Sequence, residues 1–387
     1  MKKPVISIRP NMVIALFSVF ALLLCTFSVS ASEKKSCNDE IRKYTEAILS
    51  HPKDPHGYQS RGYAYIRAKQ YNLALKDFDR AIEIDPENSI LYYDRGMAYR
   101  NLGQYDPAIR DLTRVISSYP NFMNAYHERG RAYMGKGRYE LAIADFTKAI
   151  GDDSKLLSEK LIKMAKDAGF DFSDRKSPNT TKKDDPQRAA IYFDRGLAYA
   201  YQAQYEPAID DLAEAVELNP FMYQYHLVLG RTYMNAAKNF IKPPEQKALF
   251  AMADYEIEQA VLLEPKSKDA RRLYGEVSIL TMNLNRAVRI YEDLVREEED
   301  IRNTQDLFRL FTCYATIPYI ERGIYFFQKK LEKMPEWQDL RYFLAILYLQ
   351  GGNKQKAVSL IKQVMNSPKT SKRLMDLSRQ TLEDISK

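Results

Sequence analysis

Three glycines, Gly62, Gly96 and Gly130, stand 34 residues apart, and Pro52, Pro86 and Pro120 keep the same interval. A fixed period of this length restricts the chain to an array of like elements, each burying its apolar face on its neighbours. Around each glycine the wording is nearly constant: YQSRGYAY (58–65), YYDRGMAY (92–99), YHERGRAY (126–133) and, off the beat, YFDRGLAY (192–199). Within the phrase, Tyr92, Gly96 and Tyr99 are three and four residues apart, and the next stretch repeats the interval at Ala108, Leu112 and Val115. These are helical spacings, not strand alternation. Turn formers such as NLGQYDP (101–107) separate the two stretches. Each repeat is therefore a pair of antiparallel helices that must stack on the next.

The 34-residue interval, the aromatic–glycine–tyrosine first helix, the alanine–phenylalanine–alanine second helix and the closing proline resemble the tetratricopeptide repeat. The fullest repeat, 55–88, has Tyr58, Gly62, Tyr65, Ala74, Phe78, Ala81 and Pro86 at the family positions. The resemblance implies an all-α, right-handed superhelical solenoid of antiparallel helix pairs. Further repeats begin at Ser89, Met123, Ala189 and Tyr223, the last stretched by 11 residues around NFIKPPEQ. Weaker ones begin near Lys268, Thr304 and Gln338. The expected organisation is a leader at 1–32, a lone leading helix at 33–54, three repeats at 55–153, and an inserted amphipathic helix and polar linker at 154–188. Two repeats at 189–267, three degenerate ones at 268–369 and a capping helix at 370–387 complete it. In each repeat the glycine admits the partner helix, while the tyrosines and Phe78 fill the volume between repeats.

The family commonly has leucine where this chain has Arg61, Arg95, Arg129 and Arg195. The second helix of each of these repeats carries an aspartate: Asp77, Asp111, Asp145 and Asp211. In the four later repeats the arginine position reads Leu229, Tyr274, Leu310 and Leu344, and the aspartate position Glu256, Ile290, Phe326 and Leu360. Arginine and aspartate come and go together. Structural ion pairs Arg61–Asp77, Arg95–Asp111, Arg129–Asp145 and Arg195–Asp211 follow, since a desolvated arginine without a partner is costly and its fork suits a carboxylate.

Residues 1–32 differ from the rest. Lys2, Lys3 and Arg9 precede an uncharged run at 12–30, followed by small residues through Ala31. That is the pattern of an export signal, and the run is also long enough to span a bilayer. Two readings stand: a signal cleaved after Ala31, or a retained anchor with its N-terminus in the cytoplasm. Both place the remainder outside the cytoplasmic membrane, in the periplasm if the source is bacterial. Cys37 and Cys313 lie too far apart in a linear array to bridge, so free thiols are expected.

The net charge of +7 is interspersed rather than clustered, which excludes a nucleic-acid surface. No phosphate loop, nucleophile elbow or metal-ligand spacing occurs, so neither catalysis, cofactor nor metal is expected. Binding of one or more proteins is what the resemblance implies, in the groove lined by the first helices. There the chain would display Tyr63 and Arg67; Tyr93, Met97 and Arg100; His127 and Arg131; and Phe193, Leu197 and Tyr201. Aromatics, methionine and arginine are the residues that dominate protein interfaces. Tyr93 and Phe193 would lie outside the packing positions. Some family members clamp an acidic chain terminus with lysine and asparagine; Gln59, Tyr63, Tyr93, Asp94 and Arg131 here do not match that set. The expectation is a non-enzymatic scaffold. A capture module for an envelope glycan or lipid, and an accessory subunit of a membrane complex attached through the N-terminal helix, are the alternatives.

Overall fold

The computed structural model describes residues 31–151, 185–239, 243–297, 304–316 and 320–386. Every described element is a helix. The apolar run at 12–30 and the inserted helix expected within 154–188 lie outside the described residues. Among the described residues no helix is long and apolar enough to cross a membrane.

Two compact units divide between Ala149 and Ile150. The first contains α1 (Ala31–Ser50), α2 (Pro55–Arg67), α3 (Tyr71–Ile84), α4 (Ser89–Asn101), α5 (Tyr105–Ser118), α6 (Met123–Gly135) and α7 (Tyr139–Ile150) but for its last residue. The second contains α8 (Pro186–Tyr201), α9 (Tyr205–Leu218), α10 (Tyr223–Asn239), α11 (Pro243–Leu263), α12 (Lys268–Leu280) and α13 (Leu284–Glu297). It continues through α14 (Gln305–Thr316), α15 (Ile320–Lys333), α16 (Gln338–Gln350), α17 (Lys354–Asn366) and α18 (Lys372–Ser386). Within each unit, consecutive helices pack on one another as a linear stack.

The helix starts are written in side chains. Asp54 accepts the amide of His56 with Pro55 at the first position, Asn88 accepts that of Ile90, and Asp185 that of Arg188 ahead of Pro186. That aspartate–proline start begins α8 three residues before Ala189.

The first helices stop by a shared device. The residue seven positions after the packing glycine is left-handed: Lys69 (φ 57°), Gly103 (φ 74°), Gly137 (φ 70°), Ala203 (φ 57°) and Met282 (φ 60°). After α8, the Gln204 amide returns to the Tyr99-equivalent carbonyl of Tyr199 and the Ala203 amide to that of Ala200, a Schellman closure.

The glycines of the phrase admit a large side chain of the second helix, and Gly196 admits the Ala208 carbonyl of that helix as well. A Cβ on Gly62 would lie 2.5 Å from the Phe78 ring, and one on Gly130 would lie 2.6 Å from Phe146. On Gly96 it would meet Leu112 at 2.9 Å, and on Gly275 the ring of Tyr291 at 2.6 Å. Phe78 thus seats inside its own pair while packing with Ala98 of the next, so it does more than fill space between repeats. In the second unit a larger core gathers Tyr291, Leu310, Tyr314, Phe327, Trp337 and Leu344. Cys37 and Cys313 are both free and buried.

A non-glycine residue held left-handed costs about 1 kcal/mol or more. Glycine removes that strain but loses more entropy on folding. At Ala203 the first effect is the larger, so Ala203→Gly is expected to stabilise the α8–α9 pair by up to about 1 kcal/mol, read from amide-exchange protection of 189–218.

Candidate functional site

The arginine phrase sets the first-helix face. In every case the guanidinium forks its aspartate. Nε and Nη2 lie 2.8 and 2.7 Å from Asp77 in Arg61, 2.8 and 2.9 Å from Asp111 in Arg95, 2.8 and 2.8 Å from Asp145 in Arg129, and 2.7 and 2.7 Å from Asp211 in Arg195. The third nitrogen, Nη1, reaches back to the preceding second helix: Arg61 to Thr45 at 3.2 Å, Arg95 to Asp79 at 2.9 Å and Arg129 to Thr113 at 3.0 Å. The two tyrosines of the phrase flank the cation. Arg95 stands 5.3 Å from the Tyr92 ring centroid and 5.8 Å from that of Tyr99. Arg61, Arg95 and Arg129 therefore each tie three helices, the two of their own repeat and the one before. Hydrogen bonding to Asp111 is the main cause that raises the Arg95 pKa, so the cation is permanent.

The first-helix face of the first unit carries a second row of contacts. Asp94 is fully buried; Gln59 Nε2 donates to it at 2.6 Å and the Tyr63 hydroxyl donates to its other oxygen. One repeat further on, Arg100 Nε lies 2.5 Å from Glu128, which Arg131 approaches at 3.8 Å. Asp94 and Glu128 are themselves 34 residues apart. Neither was singled out as a contact from sequence, and that spacing is the signal that marks them. Burial pushes the Asp94 carboxyl up to about 6 against the opposing pull of Tyr63 and Gln59. Burial, followed by the charge of Asp94, raises the Tyr63 hydroxyl and keeps it a donor.

The ten residues expected to line a groove divide accordingly. Tyr63 is partly exposed, Met97 and Arg131 are half-buried, and Arg67 is exposed and paired with Glu40. Arg100 is drawn into the row by Glu128. His127 is a correction: it is 8% exposed and sits edge-on to Phe146, 5.7 Å between centroids, so its ring packs against the second helix instead of facing outward. Tyr93 and Phe193 are a second correction. Tyr93 packs at 5.0 Å on Phe122 as part of a core cluster, and Phe193 stacks at 4.6 Å on Tyr225, so both hold adjacent repeats together. Phe193, Leu197 and Tyr201 belong to the second unit, where all three are half-buried on α8 and at its end. The same unit offers an aromatic surface not identified from sequence: Phe308, 55% exposed, stands 5.9 Å from Phe343, on which Phe311 stacks at 4.8 Å. Among the described residues no cluster of side chains could hold a metal ion.

Family models described as tetratricopeptide repeat match residues 63–125, and residues 124–151 and 189–221. Solved structures similar to this chain include PilW, described as a widely conserved type IV pilus biogenesis factor, at 17% identity and a TM-score of 0.49, covering 66% of this chain and 96% of that one. The C-terminal part of a TPR repeat-containing protein from Cytophaga hutchinsonii aligns at 18% identity and a TM-score of 0.47, over 76% and 98% of the two chains. YrrB, described as a TPR protein with an unusual peptide-binding site, aligns at 16% identity and a TM-score of 0.38, over 59% and 96%. No curated protein matches the chain significantly.

Two outcomes test the rows. Arg95→Met leaves Asp111 buried without its cation and is expected to cost about 3 kcal/mol, whereas Arg95→Met with Asp111→Leu should recover to within about 1 kcal/mol of wild type; a double-mutant cycle from chemical denaturation measures both. Asp94, with its raised folded value, contributes stability that is fully present below about pH 4 and lost as pH rises through about 6. Asp94→Asn should remove that component, about 3 kcal/mol at most from a two-unit difference, seen on comparing denaturation midpoints at acid and neutral pH.

Proposed function

Since the chain is a tetratricopeptide-repeat protein, we propose that it is a non-catalytic scaffold that holds a protein partner, as a peptide or a helix, against its first-helix row. Repeats of this kind typically serve protein–protein interaction. The observation that carries the finer reading is the organisation of the row in the first unit. Tyr63 and Arg100 are long side chains already fixed by Asp94 and Glu128, leaving Tyr63, Met97 and Arg131 partly accessible along successive helices. Side chains ordered before binding lose little entropy on binding, and a tyrosine–methionine–arginine surface has the composition of an interface core. Met97 and the Tyr63 ring offer apolar contact and Arg131 a partly accessible cation, which favours a partner segment that brings apolar side chains together with a hydrogen-bond acceptor.

We further propose export, on the composition of residues 1–30: a basic start, an uncharged run and small residues at its end. The scaffold would then act outside the cytoplasmic membrane.

A photo-crosslinking residue placed at Met97 or Arg131 tests both proposals in intact cells. A discrete protein adduct at these two positions, and none at Leu73 or Leu141 on the second helices, is the expected outcome, in the extracytoplasmic or membrane fraction. Adducts at Leu73 and Leu141 alone would place the partner on the other face. Adducts only to glycan or lipid would favour the capture reading, and a cytosolic product would remove the export proposal.

A further inference from the structure

The fifth helix pair breaks the rule that arginine and acid vanish together. Leu229 stands where four earlier repeats have arginine, yet Glu256 keeps the acidic position, only 2% exposed. A buried carboxylate facing leucine would be strongly unfavourable. The compensation comes from one helical turn earlier. His226 occupies the position of the first tyrosine of the phrase, equivalent to Tyr58 and Tyr92. Those tyrosines donate to the carbonyls of Pro52 and Pro86 six residues upstream; the Nε2 of His226 lies 3.0 Å from the corresponding carbonyl of Pro220. Its Nδ1 lies 2.7 Å from Glu256.

These two contacts decide the proton count. A carbonyl oxygen only accepts, so Nε2 must carry a proton. Across the 2.7 Å contact a second proton is then required, on Nδ1 or on the carboxyl, because a bare nitrogen lone pair would otherwise oppose a bare carboxylate. Other charges lie near α10 among the described residues. Asp211 of α9 is forked by Arg195 of α8, and burial raises the neighbouring Asp210 carboxyl to about 6; Asp269 and Glu276 of α12 act on Arg231, and Glu264, just past the end of α11, acts on Tyr223.

We propose that the α10–α11 pair is a proton-dependent joint: His226 and Glu256 hold the two helices closed only while they share one proton, so this step of the array loosens as pH rises, whereas the pairs closed by arginine do not. The sign follows from linkage. Once the pair opens, a solvated histidine gives up its proton above about pH 6.5, while the closed pair still holds one. Opening therefore releases a proton, and the closed state weakens about tenfold per pH unit above that point.

Amide exchange of the full-length protein, corrected for intrinsic rates, reads this directly. Between about pH 6.5 and 8 protection of α10 and α11 should fall at least tenfold while that of α8–α9, closed by Arg195–Asp211, stays level. Glu256→Gln, whose amide can donate to a neutral Nδ1, should abolish the fall and leave the two pairs parallel. Equal pH dependence of both pairs in the wild type, or a slope that survives Glu256→Gln, would overturn the proposal. If that variant loses its helical signal and does not fold, the wild-type comparison of the two pairs decides alone.

Discussion

The fork between arginine and aspartate organises the first three repeats because of where its spare nitrogen goes. Two of the three donor nitrogens close a pair, and the third crosses to Thr45, Asp79 or Thr113 of the preceding second helix. One planar group thereby sets the rotation within a repeat and the step to the next. Tyrosines three residues before and four after hold it between their rings, which leaves the whole phrase Y-x-x-R-G-x-x-Y with a mechanical reading. Glycine follows the arginine because the bulky residue after the aspartate must seat there. The energetic gain from such a half-buried pair is modest; its geometry is what a stack of identical steps requires.

The later repeats meet the same requirement with apolar contacts. Leu310 and Leu344 are buried where arginine would stand, and Phe326 and Leu360 pack where aspartate would. Exchanging a buried ion pair for well-packed apolar groups is near neutral in energy, but it gives up the third contact across the repeat boundary. Other residues take over that work. Glu292 accepts from Tyr314 of the next helix and from Arg322 beyond it, and Arg272 reaches Asp306 at 2.9 Å. These ties are individual rather than periodic, which is why this half reads as degenerate while its core, built around Trp337, is the larger one.

The helix pairs were legible because a 34-residue interval and 3.6-residue spacing are properties of the sequence alone. The pairing of arginine with aspartate was legible because the two residue types disappear together. His127 was misplaced since its register position is shared with Gln59, Tyr93 and Phe193, and its packing on the Phe146 ring is a contact between helices that the spacing does not reveal. Tyr93 and Phe193 were read as free of packing because their partners, Phe122 and Tyr225, belong to the next repeat, and a period within one helix does not show contacts between repeats. The left-handed stops at Lys69 and Ala203 left no compositional trace, as neither residue favours that conformation.

A row of first-helix side chains that must both connect repeats and meet a partner faces a conflict. Connection favours long polar groups paired with one another, and recognition favours groups that remain accessible. The first unit reconciles the two by burying the acids and leaving their donors at the surface: Asp94 is sealed, while Tyr63, which donates to it, is still partly exposed. Glu128 is likewise buried beneath Arg100, with Arg131 on its outer side. What such a row presents is therefore an aromatic edge at Tyr63 and a guanidinium at Arg131, each held in place by an acid buried behind it.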